Sequence, residues 1–230
     1  MNGVEALLVL AHPDDAEFAA AGTVARWTRE GKQVVYLVCT NGNKGTIDRT
    51  LDPADLAAVR EQEQKAAANI LGVKEVAFLH YPDQGLEDTP EFRKQIVRNI
   101  RKYKPRIILT SDPYRRYIGH RDHRIAGQVA LDAVYPYARD HLAYPDLLDQ
   151  GLEPHTVEEI WFWGSEERTY FSDITDTFDL KIAALECHQS QIGHRDLTML
   201  KEGMKKRFRQ NAAEQPFDLA EVFHRVIIGY

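Results

Sequence analysis

The feature that most restricts the fold of this chain is an alternation between short apolar runs and amphipathic stretches. Residues 5–11, 33–40 (QVVYLVCT), 75–80 (EVAFLH) and 106–111 (RIILTS) each read as a buried strand. Helical patterns follow them at 16–30, 53–71, 90–103 and 123–135, the first two stopped by Gly31 and Gly72. Pro53 comes after Asp52 and Pro90 after Thr89, the order of a capping residue and a first-turn proline. Continuous apolar strands joined through helices predict a Rossmann-like, mostly parallel sheet covered on both faces. Residues 159–164 (EIWFWG) and 222–228 add strands, and 177–186 a helix. No repeat, low-complexity tract or linker divides the chain, so one α/β domain over residues 1–230 is expected.

Composition narrows the function classes. Hydrophobic residues make up 43% and charged residues 28%, as in ordinary soluble domains, and the net charge of −6 argues against a nucleic-acid partner. No apolar stretch approaches the roughly 20 residues that span a bilayer, and MNGVEALLVL lacks a basic signal-peptide start. Cys39 and Cys187 have neither zinc nor redox spacing, which predicts a cytoplasmic protein with reduced thiols.

In such sheets ligands bind outside the carboxyl ends of the strands. There the chain places His12-Pro13-Asp14-Asp15, Thr40-Asn41-Gly42, Tyr81-Pro82-Asp83 and Asp112-Pro113, with Gly119-His120-Arg121-Asp122-His123 shortly after. His12 and Asp15 are close enough to share an ion, and the second histidine cluster is the obvious source of a third ligand. Mixed His and Asp donors suit zinc better than magnesium. Capping is the competing explanation: Asp14 or Asp15 could simply start a helix, and His120 and His123 could be loop residues. Residues 135–157, with three prolines and several aromatics, are expected to form a packed lid over the rim.

AHPDDAEF with Gly22-Thr23, TNGNKG, Arg60 with Glu63, HRDH, GLEPHTVEEIWFWG, DITDTFDLKIAALECHQSQ and AEVF together resemble the PIG-L/LmbE-like zinc-dependent N-deacetylases. The resemblance implies one zinc held by His12, Asp15 and His123, with Asp14 as general base. It also implies that His120 assists at the reacting carbonyl with Asp122 beside it; by ordinary electrostatics a carboxylate there would favour the protonated ring. Arg60 and Asp83 match positions that meet polar groups and hydroxyls of the substrate, and His188 and Gln191 lie in a segment that lines the site or a subunit contact. The implied substrate is a small N-acetylated amino sugar or conjugate, and homo-oligomers are common among such proteins. Two departures stand out: FAAAG follows the first motif where glycines are usual, and HRDH replaces the commoner HPDH.

The chemistry accounts for these residue types. An amide is a poor electrophile and water a poor nucleophile, and zinc improves both. Asp14 can take the proton of the attacking water, and either Asp14 or His120 can return one to the leaving amine. Rival readings are a two-metal phosphohydrolase, which would need more carboxylates, and a nucleotide- or sugar-binding module, which would carry G-x-G-x-x-G where HPDDAEF stands. A metal-binding relative without turnover is the third. The basic run Lys205-Lys206-Arg207 reads as a solvated helix face.

Overall fold

The structure is a computed structural model and describes residues 3–229. Its strands are β1 (Ala6–Leu10), β2 (Val34–Thr40), β3 (Glu75–Tyr81), β4 (Ile107–Ser111), β5 (Glu159–Trp163), β6 (Tyr170–Asp173) and β7 (Ala220–Ile227). They form one sheet in the order β3-β2-β1-β4-β5-β7-β6. The first five run parallel, and β7 pairs antiparallel with both β5 and β6. From β1 the chain builds outward to β2 and β3, then returns to lay β4 on the other side of β1 and β5 beyond it. The order therefore reverses between β1 and β4, the place where open α/β sheets bind ligands.

Eight α-helices are described: α1 (Asp15–Ala19), α2 (Ala21–Arg29), α3 (Pro53–Ile70), α4 (Pro90–Tyr103), α5 (Arg121–Asp132), α6 (Phe178–Leu185), α7 (Gln189–Ile192) and α8 (Leu197–Asn211). Residues of β1 alternate between two cores. Leu7 and Val9 pack with Phe92, Ile96, Ile100 and Val129 from α4 and α5. Ala6, Leu8 and Leu10 pack with Val24, Trp27, Ala67 and Leu71 on the other face. Burial on both sides is why these strands are apolar throughout. The expected caps are present: Asp52 accepts from the Ala54 N–H at 2.7 Å and Thr89 from the Phe92 N–H at 3.1 Å.

Three expectations change. The helix expected over 16–30 is broken at Ala20 into α1 and α2, and a fully buried glutamate from β7 holds the break. Glu221 accepts from the N–H groups of Gly22 (3.0 Å) and Thr23 (2.8 Å) and from Lys181 Nζ (2.8 Å), which also donates to the Phe18 carbonyl at 3.0 Å. The fifth helix begins at Arg121 rather than 123, with His120 as its cap residue. Residues 135–157 form no lid on the rim. Ala138, Leu147 and Val157 are buried in the α4 core, and Arg101 donates to the carbonyls of Tyr137, Ala138, Asp140 and Ala143. His155 reaches the carbonyl of Pro105, just ahead of β4 and so at the end of the sheet opposite His12. The aromatics and prolines expected to make a lid serve the return path to β5. Among the described residues no helix is long and apolar enough to cross a membrane.

Candidate active site and metal centre

Just past β1 the chain turns sharply through His12, Pro13 and Asp14 into α1. Asp14 adopts the left-handed conformation (φ 92°) at the cap position, yet its side chain makes no capping hydrogen bond. The capping explanation for this carboxylate therefore fails. Asp15 is also engaged elsewhere: one oxygen accepts the His12 backbone N–H at 2.9 Å, and the other lies 3.0 Å from His123 Nε2. His12 Nδ1 faces His123 Nε2 at 3.2 Å and Asp15 Oδ2 at 3.9 Å. Zinc ligands sit roughly 2.0–2.2 Å from the ion, so a tetrahedral set is spaced about 3.3–3.6 Å apart. The three donor atoms, all within 4.8 Å of one another, match that scale.

The far side of His12 fixes its ring. Its Nε2–H faces Asp83 Oδ1 at 3.1 Å and Asp122 Oδ2 at 3.2 Å. Asp122 is fully buried and also accepts the N–H groups of Gln84 (2.6 Å) and Leu86 (3.3 Å). A carboxylate behind a histidine fixes the tautomer and leaves the other nitrogen for a metal. The negative surroundings show in the protonation of both imidazoles. Burial alone would lower the pKa of His12, but its hydrogen bonds to Asp122 and Asp83 carry it up to about 10. Asp15 raises His123, and His123 and His12 in turn hold Asp15 well below the usual carboxylate range against the cost of burial.

Asp14 behaves in the opposite way. Burial pushes its carboxyl up to about 7, with Arg60 opposing and Asp15 adding to the rise. Two side chains one turn apart on α3 grip it: Arg60 Nη2 lies 3.2 Å from its carboxylate, and Gln64 Oε1 accepts its backbone N–H at 2.9 Å. The Gln64 amide is oriented by buried Glu17 (3.2 Å to each oxygen), which the buried His188 ring meets at 3.1 Å. Arg60 also donates to the carbonyls of Pro13 (2.6 Å) and Gly42 (2.9 Å). It packs so closely that a Cβ on Gly42 would stand 2.5 Å from Nη1, which explains the glycine in TNGNKG. His120 is exposed; its Nδ1 accepts the Asp122 N–H at 3.2 Å, which places the hydrogen of the neutral ring on Nε2. Burial and the two neighbouring histidines lower its pKa.

A family model for PIG-L, GlcNAc-PI de-N-acetylase, matches residues 7–134, a stretch that contains every residue of this centre from His12 to His123. The chain belongs to the PIG-L family. A diacetylchitobiose deacetylase of Thermococcus kodakarensis is 39% identical over 191 residues, covering 83% of this chain and 71% of the relative. A 1D-myo-inositol 2-acetamido-2-deoxy-alpha-D-glucopyranoside deacetylase of Mycobacteroides abscessus is 29% identical, with 81% of each chain covered. Among solved structures, the N,N'-diacetylchitobiose deacetylase from Pyrococcus horikoshii aligns with a TM-score of 0.91 and 29% identity, over 98% of this chain and 85% of that one.

Against this PIG-L architecture, the eight residues singled out in the sequence gather beyond the carboxyl ends of the strands, but three stand differently from expectation. The Asp122 carboxylate is turned to His12 and not to His120, because the chain enters α5 at His120 and points Asp122 inward. Arg60 is neither on an exposed helix face nor open to the rim; it is buried against Asp14 and the 41–45 loop. Asp83 is buried against His12. Arg121, the departure in HRDH, pairs with Glu87. Sequence reasoning passed over Gln64 and Glu17. Their signal was spacing alone: Gln64 lies one turn after Arg60, and Glu17 two residues after Asp15.

Proposed function

We propose that this chain is a zinc-dependent N-deacetylase that hydrolyses the acetamide, or a related small acyl amide, of an amino-sugar-containing substrate. The observation that carries the reading is the His12 Nδ1–Asp15–His123 Nε2 triangle with a second carboxylate, Asp14, on the adjoining residue. Three mixed nitrogen and oxygen donors suit a catalytic zinc with an open position. Zinc held there would supply a Lewis acid that polarises the acyl carbonyl and brings the pKa of water to about 7. The substrate class is carried over from relatives named as deacetylases of diacetylchitobiose and of a 2-acetamido-2-deoxy-glucopyranoside.

Asp14 takes the proton of the water that attacks the acyl carbon. A carboxyl near 7 suits it to accept that proton and to hand it to the departing nitrogen as the C–N bond breaks, releasing carboxylic acid and free amine. His120 acts as a neutral Nε2–H donor to the oxygen where charge develops. Asp83 and Asp122 serve by holding His12, and Arg60 by holding Asp14. The test is free-amine release from a panel of N-acetylated amino sugars, with bound zinc measured on the same samples. Wild type should release amine, and Asp14→Asn should keep its zinc while turnover falls by about 100- to 10,000-fold. Near-normal turnover in Asp14→Asn would remove Asp14 as base, and absence of zinc from wild type would remove the metal centre.

A further inference from the structure

Beside the metal ligands a cleft of about 450 Å³ opens between the ends of α1 and β5 and the side of α8. Asp15, His123 and the apolar face of Trp163 line it. Three arginines from three separate elements line the rest: Arg115 from the loop after β4, Arg168 from the turn between β5 and β6, and Arg207 from α8. Arg115 also lines the small adjoining cavity that reaches His120. This convergence occurs in a chain whose net charge is −6.

The arginines are not spent on one another's neighbours. Among the described residues neither Arg115 nor Arg207 has an ion pair, and Arg168 meets only the Asn211 amide oxygen at 3.3 Å. Glu166, the other carboxylate lining the cleft, is engaged by Arg116 through its N–H (3.2 Å) and Nε (3.4 Å). Asp15 is taken by His123 and His12. Arg207 belongs to the basic run that reads as a solvated face, yet its side chain borders the cleft while Arg209 does not. Arg168 and Arg207 also lie beyond the segment that the family model matches. Guanidinium groups recognise carboxylates and phosphates through paired N–H donors.

We propose that the substrate carries an anionic group, a carboxylate or phosphate, which Arg115, Arg168 and Arg207 receive in the cleft beside Asp15 and His123. The inference rests on the deacetylase reading and names the substrate class within it. Zinc-loaded protein would be offered a neutral N-acetylglucosamine alkyl glycoside and three matched anionic compounds: one with a carboxylate on the aglycone, one with a 6-phosphate, and one whose acyl group is succinyl. At least one anionic compound should exceed the neutral one in kcat/KM by tenfold or more, and which one does locates the anion on the substrate. The advantage should shrink with added salt. It should collapse toward one in Arg207→Gln and Arg115→Gln, and persist in Arg209→Gln, which removes the same charge from the same helix outside the cleft.

Turnover of the neutral compound with no anionic preference would overturn the inference while leaving the deacetylase intact, as would a preference that survives both cleft substitutions. If no compound is turned over, the deacetylase reading itself fails. Binding then decides the anion site: N-acetylglucosamine 6-phosphate should bind at least tenfold tighter than N-acetylglucosamine in calorimetry, with the difference lost in Arg207→Gln. Equal affinities would sink it.

Discussion

The two ends of the sheet use the same residue types to opposite effect. At the amino end, where β5 begins, Glu159 accepts from Arg225 (2.7 and 2.8 Å), from Arg106 (2.9 Å) and from the Trp161 indole (2.7 Å). Arg106 also donates to Glu5 at 2.8 Å. Glu5 and Glu159 each have an arginine, and the bonds from Arg225 lead in holding Glu159 down to about 2. At the carboxyl end Asp14, Asp15, Asp83 and Asp122 crowd around three imidazoles, His12, His120 and His123, with one arginine, Arg60, among them. There Asp14 rises to about 7 and His12 to about 10. Balanced charge makes a clamp, whereas unbalanced negative charge makes a place for a cation and a base of useful strength.

The contrast can be broken at either end, with the largest effect at the carboxyl end. Asp15→Ala removes a ligand, so bound zinc and amine release should both fall to background, read by metal analysis and turnover on one preparation. Next in size is Gln64→Met, which leaves the metal ligands alone but frees the Asp14 backbone and breaks the link to Glu17. A loss of about 10- to 100-fold in kcat with zinc retained is expected, the usual effect of losing an outer support; unchanged kcat would mean that Asp14 needs no such hold.

The acid limb of kcat/KM is a smaller and graded effect. Asp14 must be ionised to accept a proton, so activity should fall about tenfold per pH unit below its pKa, which burial raises above the ordinary carboxylate range and a cation on Asp15 would draw back down. That limb should vanish from the residual activity of Asp14→Asn. The smallest effect belongs to the amino end. Glu159→Gln should cost about 1–3 kcal/mol of stability in denaturant unfolding, as for hydrogen bonds to a charged group, with zinc content and turnover untouched. Because the folded-state pKa of Glu159 lies below the ordinary 4.5, its contribution is complete above about 4.5 and disappears as pH falls toward about 2. Stability of wild type should decline over that window, and the decline should be shallower in Glu159→Gln.

How much of this was legible in the sequence follows from the same physics. Strands β1, β2, β4 and β5 are buried on both faces, and their unbroken apolar runs gave them away. Strand β6 (YFSD) is four residues long at a sheet edge, and α8 carries one buried side chain, Phe208; neither has a strong periodic pattern. The proposed ligands stand out in the sequence because they follow strand ends. Residues that act on them from elsewhere do not, since periodicity reports burial and not what lies opposite. Asp122 was thus read beside His120, its neighbour in the chain, whereas its partner in space is His12, 110 residues away. The stretch 135–157 packs away from the expected rim: aromatics mark a packed loop without saying which surface it packs on.

The anchoring of the α1–α2 break by Glu221 has a consequence for the order in which the molecule comes into being. The carboxylate that receives the Gly22 N–H stands 199 residues after it. On the ribosome, His12, Asp14, Asp15 and His123 are all synthesised, and β1 to β5 can assemble, well before that carboxylate exists. Until β7 enters between β5 and β6, the break between α1, which opens at Asp15, and α2 lacks its fastening, and Lys181 lacks its counter-charge. A nascent chain would therefore possess every proposed ligand before α1, which carries Asp15, is fastened at its far end, and full-strength capture of an ion there should be a late event in its maturation.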